Sequence, residues 1–270
     1  MSVVLAAPDK FVTMKPKEFR QVVRRNEYTG GTGNVCAGYA RTAMAIIPKD
    51  FALDFFMFCH RNPSPFPIID FTEPGSPHPM RVAPEADMRT DVTNYHVYIN
   101  GKLEAKVTDI MSYWRDDLVV FLTGCSRGFD AALVSADIKY RSIGVFSTNI
   151  SCVPAGRFKG PMRTSCRLVK GARDVVRTIQ ISSRYPAYHG APIHVGDPAV
   201  IGIKDLYHPD VLSRGEAISP LEPDEVPMFW GCGMTLKAVA MASKPPLMIT
   251  EGDGAMFVTD LLASDLAISS

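Results

Sequence analysis

Long apolar runs, paired cysteines and net charge are what this chain has least of. No segment approaches the roughly 18 apolar residues of a helical membrane span, and the longest candidate, "FALDFFMFC", is broken by Asp54. The opening "MSVVLAAPDKF" has only a short apolar run with no basic stretch before it, so no secretory signal is expected. The six cysteines (Cys36, Cys59, Cys125, Cys152, Cys166, Cys232) form no Cys-X-X-Cys pair. That argues against a zinc knuckle or a thioredoxin-type site and leaves free thiols in a reducing, cytoplasmic setting as the expectation. Lys plus Arg number 29 against 28 Asp plus Glu, a net charge of +1. Bulk electrostatics therefore supply no reason to expect nucleic acid or an anionic membrane as partner. Internal repeats and low-complexity tracts are also missing.

What is present is core-forming material. Hydrophobic residues make up 46% of 270 positions, with 14 Phe and 13 Met, enough for a large core and two lobes. Residues 16–26 place Phe19, Val22 and Val23 on one helical face behind Pro16. A second helix is expected over 48–61, ending before Asn62-Pro63. "TAMAIIP" reads equally as strand or buried helix. Asn100-Gly101 between alternating runs predicts a hairpin. Helical patterns follow at about 109–122, which carries Trp114, and at 128–136. Strands are expected at 162–169, 192–196, 226–230, 246–250 and 255–260, and helices at 171–183 and 234–243. This interleaving predicts a mixed α/β fold. The Pro-rich "TEPGSPHPMRVAP" and the loop "VPAGRFKGP" suggest a smaller α+β lobe, 72–160, inserted into a larger three-layer lobe of 1–71 and 161–270.

Several stretches carry candidate chemistry. "YTGGTGNVCAG" is glycine-rich, but no Gly-Lys-Ser/Thr closes it and a helix, not a strand, precedes it, so a nucleotide loop is not expected. Thr29 and Gly30 belong either to a turn that only uses the backbone freedom of glycine or to a nest whose N–H groups receive a substrate carboxylate. "YHGAPIHVGDP" holds His189, His194 and Asp197. A buried, hydrogen-bonded imidazole is the default reading for each histidine. Their spacing is not that of a helical zinc motif, and a three-ligand metal site is not specified by it, so the question of a divalent metal stays open. Asp197-Pro198 also reads simply as a helix cap and first-turn proline. Arg89 and Asp91 form either a surface pair or a carboxylate clamp. Arg157 lies in a Gly-flanked loop near Asn149 and Cys152. Cys232 sits in "FWGCGMT", a strand-to-helix turn of the kind that lines α/β clefts.

Taken together, "PKDFALDFFMFCHRNP", "DMRTDVTNYHVYINGKL", "WRDDLVVFLTGCS", "TNISCVPAGRFKGP", "QISSRYPAYHGAPIHVGDPAVIGI" and "VPMFWGCGMTLKAVAMASKPPLMIT" resemble the hydro-lyase family that includes the mitochondrial D-glutamate cyclase. The resemblance runs in order along nearly the whole chain. It implies two α/β lobes and carbon–oxygen lyase chemistry on a small amino or hydroxy acid, as in closure of D-glutamate to 5-oxo-D-proline with loss of water. One loop departs from the family pattern: Gly31 stands where Pro is usual, and Arg41 and Ala43 where Gln and Asn are usual.

For such a reaction His189 and His194, with Asp197 orienting one ring, supply an acid–base set. Arg157 and Arg89 are carboxylate clamps by chemistry, with Asp91, Thr29, Gly30, Asn149 and Cys232 around them. The expected partner is a small carboxylic acid, and a homo-oligomer is compatible with the sequence. Two other functions compete: acyl transfer or amide hydrolysis through Cys232 with a histidine base, and non-catalytic binding of a carboxylated metabolite.

Overall fold

The computed structural model describes residues 2–3, 7–213 and 218–268. It is a mixed α/β protein built on two sheets whose strands are almost all antiparallel. The first sheet runs β3 (Ile68–Phe71), β6 (Leu118–Gly124), β2 (Tyr39–Pro48), β12 (Met248–Glu251), β4 (Tyr95–Ile99) and β5 (Lys102–Val107), with β13 (Phe257–Leu262) also pairing β2. The second runs β1 (Ser2–Val3), β10 (Val211–Leu212), β7 (Tyr140–Ser151), β8 (Pro161–Lys170), β11 (Glu225–Gly231) and β9 (His194–Val195).

The central strands of the first sheet are buried on both faces, and their residue alternation explains why. Along β2, Ala40, Met44 and Ile46 enter one core, whereas Ala43, Ala45 and Ile47 enter another. β6 divides likewise: Leu118, Val120 and Leu122 go to the first core, Val119 and Phe121 to the second. A strand with two dry faces reads as a continuous apolar run, because successive side chains point to opposite sides. This settles "TAMAIIP" as strand. It also corrects the helix expected over 109–122: that segment holds a short 3-10 turn, Met111–Tyr113, and then β6. "LVVFLTG" has the β-branched and aromatic content of a strand, and Trp114 lies in the link before it.

Helix α2 (Lys49–Arg61) covers the second core through Phe55 and Phe58. Helices α1 (Pro16–Arg24), α4 (Ala172–Ser183) and α5 (Thr235–Ser243) form as expected, and a short α3 spans Asp130–Ser135. The Asn100-Gly101 hairpin joins β4 to β5 with φ of 48° and 80°. Both residues lie in the left-handed region that a tight two-residue turn needs and these types tolerate.

Strand pairing follows different boundaries from the expected 72–160 lobe. β4 and β6, inside that range, bond to β12 and β2 outside it, and β7, inside it, bonds to β8. The sheet centred on 140–231 is the one set within the chain of the other. The two share a core, since Val169, Met228 and Trp230 of the second pack with Met44, Val120 and Ile249 of the first.

Candidate active site between the two sheets

A cavity of about 90 Å³ lies where the ends of the sheets meet. The turn after β6 contributes Cys125, Ser126 and Arg127, β8 contributes Ser165 and Arg167, and the turn after β11 contributes Cys232, Gly233 and Met234. Ala43 of β2, Glu251 at the end of β12, and Gly254 and Met256 beyond it complete that side. Two strands and three strand ends from different parts of the chain thus converge, as is common where substrate sites form.

Arg167 is the most constrained side chain here. Its guanidinium is almost wholly buried and donates to Asp130 Oδ1 from Nη2 at 2.6 Å and from Nε at 3.1 Å. Nη2 also donates to the Ser126 carbonyl at 3.0 Å. The rings of Phe129 and Trp230 stand 4.6 Å and 5.1 Å from its central carbon. Burial opposes the charge, yet Asp130 and Tyr140 keep its pKa raised. Its Nη1 is buried with no hydrogen-bond partner. A charged donor without an acceptor is costly to bury, so this atom is poised for an anion.

Glu251 faces the same space. It is buried, and its Oε2 accepts the Met44 N–H at 2.7 Å. Burial pushes its carboxyl up to about 7, while nearby Lys237 acts in the opposite sense. A carboxyl balanced near neutrality both accepts and donates protons at physiological pH. Behind it, the Lys237 ammonium is paired with Asp253.

Arg127 bears on the glycine-rich loop. A methyl group added at Gly33 would fall 3.2 Å from the Arg127 central carbon. Thr32 fastens that loop to the cavity's edge, its N–H donating to Gly254 O at 2.8 Å and its hydroxyl to Met256 O at 2.7 Å. Arg41 holds the loop from inside, donating to the carbonyls of Thr32, Val35 and Tyr39. Ala43, another departure from the family pattern, lines the cavity itself.

Of the residues expected from sequence to form the site, Cys232 alone lines this cavity. Burial pushes its thiol up to about 12, and no histidine lines the cavity beside it. The thiolate required for nucleophilic attack is therefore scarce near neutral pH. Arg157 is half exposed and committed elsewhere: its Nε donates to Asp54 at 2.6 Å, its Nη2 to the Asp50 carbonyl, and its guanidinium covers the Phe51 ring at 3.9 Å. Arg89 pairs with Asp87 rather than Asp91, at 2.7 Å and 2.8 Å. Asp91 is buried and ties α1 to the 85–91 segment through Arg24 at 2.7 Å and Arg20 at 3.8 Å. Both arginines thus spend their guanidiniums on neighbouring carboxylates, and neither is among the cavity-lining residues.

His189 and His194 are held by different partners. His189 is buried at φ 78°, and its Nδ1 donates to the Ser64 carbonyl at 2.5 Å. Burial lowers its pKa to about 4, so the ring is neutral, and its Nε2 has no partner. His194 lies on the edge strand β9 and donates from Nε2 to the Asp197 carbonyl at 2.7 Å. The Asp197 carboxylate accepts the Ala199 N–H at 2.9 Å, which is the cap reading of that residue. Thr29 and Gly30 present their carbonyls to Asn94 and Thr93, and Asn149 is exposed on β7. Among the described residues, no group of three or more His, Cys, Asp or Glu is placed to hold a metal ion. None of the helices there is long and apolar enough to cross a membrane.

Sequence reasoning missed Arg167 and Glu251, although each leaves a trace. "SCRLVK" sets an arginine inside an apolar strand, and "LMITEGDG" ends another on a glutamate. Charged residues in such runs stay buried only when paired or functional.

Two sheets closing on a largely apolar interior cavity that also presents guanidiniums, hydroxyls and a protonatable carboxyl define a mixed α/β protein with an interior site. Residues 119–260 match the family described as D-glutamate cyclase. The chain is 47% identical to the "Putative hydro-lyase GK2103" of Geobacillus kaustophilus over 94% of this chain and 97% of that one. It is 45% identical to the "Putative hydro-lyase YcsI" of Bacillus subtilis over 94% of this chain and all of that one. The chain belongs to this hydro-lyase family, which contains the D-glutamate cyclase domain. A nitrogen repressor-like protein from Methanococcus jannaschii aligns over 87% of this chain and 91% of its own, at a TM-score of 0.37 and 8% identity. That likeness is too distant to carry an argument.

Proposed function

We propose that the protein is a carbon–oxygen lyase that works on a small amino or hydroxy acid in the cavity between its sheets, with D-glutamate the first substrate to try. The observation that carries this reading is the pairing of the unpartnered Arg167 Nη1 with the near-neutral Glu251 in one cavity. Arg167 and Arg127 take the carboxylate that stays unchanged, and Ser126 and Ser165 offer hydroxyls to the rest of the molecule.

Cyclisation of D-glutamate is proton-neutral. The ammonium nitrogen loses two protons as it bonds to the side-chain carboxyl carbon, and the departing oxygen gains two and leaves as water. A single group that takes protons from nitrogen and gives them to oxygen suffices, and Glu251 has the pKa for both halves. In this reading the acid–base work expected of His189 and His194 passes to Glu251, and the clamp expected of Arg157 and Arg89 passes to Arg127 and Arg167. Ala43 widens the site relative to the Asn usual in the family, which bears on which acid is accepted.

The test is incubation of the purified protein with D-glutamate and a panel of small amino and hydroxy acids, with product identified by mass. Loss of water from one acid, abolished by Glu251→Gln, is the expected result. Saturable binding of an acid with no turnover, by the native protein and the variant alike, would favour the metabolite-binder reading instead.

A further inference from the structure

Val211 lines two spaces at once: the interior cavity and an outer cleft of about 550 Å³. The outer cleft is bordered by Lys106, Arg163 and Lys237 and by the carboxylates of Asp210 and Asp253. Lys237 is paired with Asp253, and Asp210 accepts a hydrogen bond from Ser147 at 2.6 Å. Lys106 and Arg163 form no ion pair among the described residues, and Arg163 Nε is buried without a hydrogen-bond partner. Three cations face two carboxylates, so the cleft keeps a positive excess centred on the unpaired pair. Its two histidines do not offset this: His96 is neutral, lowered to about 4 by burial and then by Lys237, and His208 pairs with Asp205 at 2.7 Å.

The strand β8 links the two spaces. Side chains two apart share a strand face, so Arg163, Ser165 and Arg167 point the same way. Arg163 borders the outer cleft, and Ser165 and Arg167 border the cavity. At about 3.3 Å per residue, the two arginine backbones are roughly 13 Å apart. Val145 and Val211 lie in register beside Ser165 on the next two strands, forming an apolar sill between the spaces. The backbone of Arg163 is fixed to the same site, since its carbonyl accepts the Cys232 N–H at 3.1 Å.

We propose that the outer cleft is a vestibule for an anionic substrate, in which Arg163 makes the first contact and passes the carboxylate along β8 to Arg167. The proposal rests on the lyase reading for its substrate, but the geometry requires only that the ligand be a small anion. Arg163 is a capture residue that does not touch the reacting atoms. Its loss acts on the encounter step, which electrostatic attraction speeds and salt slows.

The test uses the full chain and reads both turnover and binding. Arg163→Met is expected to lower kcat/KM about 10-fold while kcat holds, and to flatten the dependence of kcat/KM on ionic strength. Arg163→Lys, which keeps the charge, should restore most of that dependence. Calorimetric titration with D-glutamate and with inorganic phosphate, at low and physiological salt, gives a readout that needs no turnover. Weaker, salt-insensitive anion binding in Arg163→Met supports the vestibule even if no acid is turned over, in which case the lyase reading alone falls. If Arg163→Met fails to fold, the exposed Lys106→Gln decides, with an expected two- to threefold loss in the same direction. Unchanged binding and kcat/KM in the folded variants, or no binding of either anion by the native protein, overturns the proposal.

Discussion

Residues 188–202 and the cavity between the sheets are both rich in polar side chains, and they meet the cost of placing them in opposite ways. In 188–202 most of the polar groups are held by backbone partners. His194 bonds the Asp197 carbonyl, Asp197 caps Ala199, and His189 reaches the Ser64 carbonyl. In the cavity, Arg167 keeps an unpartnered donor and Glu251 sits at a pKa where it is half charged. A polar cluster that answers its own hydrogen bonds holds a loop in shape. One that leaves a donor open beside a cavity has a bond still to make. His189 Nε2 and the Tyr188 hydroxyl blur the contrast, since both are buried and lack a partner.

The largest effect should come from Arg167→Met. Removing one member of a buried ion pair leaves Asp130 uncompensated, a loss of about 3–5 kcal/mol, read as a drop in denaturant midpoint. Arg167→Met combined with Asp130→Asn should recover part of it. If the single variant is as stable as the native protein, the cavity is less constrained than the loop and the contrast is reversed.

Glu251→Gln should leave the protein folded and lower turnover by about 10²–10⁴-fold. It also has a signature in stability against pH. The folded carboxyl, near 7, still holds its proton where the unfolded chain has released it. Glu251 therefore contributes stability fully below the ordinary glutamate pKa, and that contribution is lost as pH rises through about 7. The variant should lose that slope, measured as melting temperature from pH 5 to pH 8.

His189→Asn tests the other side of the comparison. Its imidazole is lowered to about 4 in the fold, so its contribution is present above the ordinary histidine pKa and is lost as pH falls towards 4. Substitution should cost about 1–3 kcal/mol with turnover per folded molecule nearly unchanged. A fall in turnover of about 10²-fold or more, without loss of stability, would return His189 to the mechanism. Asp197→Ala removes a cap and should cost about 0.5–1 kcal/mol. Arg157→Ala, at a half-exposed ion pair, should cost less than about 1 kcal/mol and leave substrate affinity alone.

Much of the architecture was legible in the residues. The Asn100-Gly101 hairpin needs only local backbone preference, and α1, α4 and α5 follow from apolar spacing and flanking residues. The 109–122 segment was misread because a run buried on both faces has no period, and only the partners on its two sides identify it as strand. Asp197 as a cap was readable for the same local reason as the hairpin. The clamp was not. Arg157 and Arg89 stand out in sequence among glycines and acids, but the fold pairs each with a carboxylate, Asp54 of the distant helix α2 and Asp87 two residues away.

The sequence by itself determined the family, the mixed α/β class and the elements whose signals are local, because capping, turn chemistry and side-chain periodicity act over a few residues. Tertiary structure alone assembled the cavity. Arg127, Arg167, Cys232 and Glu251 are separated by up to about half the chain and are brought together by sheet pairing. Their chemistry depends on what that pairing excludes. Water kept from Glu251 moves its pKa, and an acceptor withheld from Arg167 Nη1 leaves it open. Desolvation is a property of the assembled interior, and no single stretch of sequence carries it.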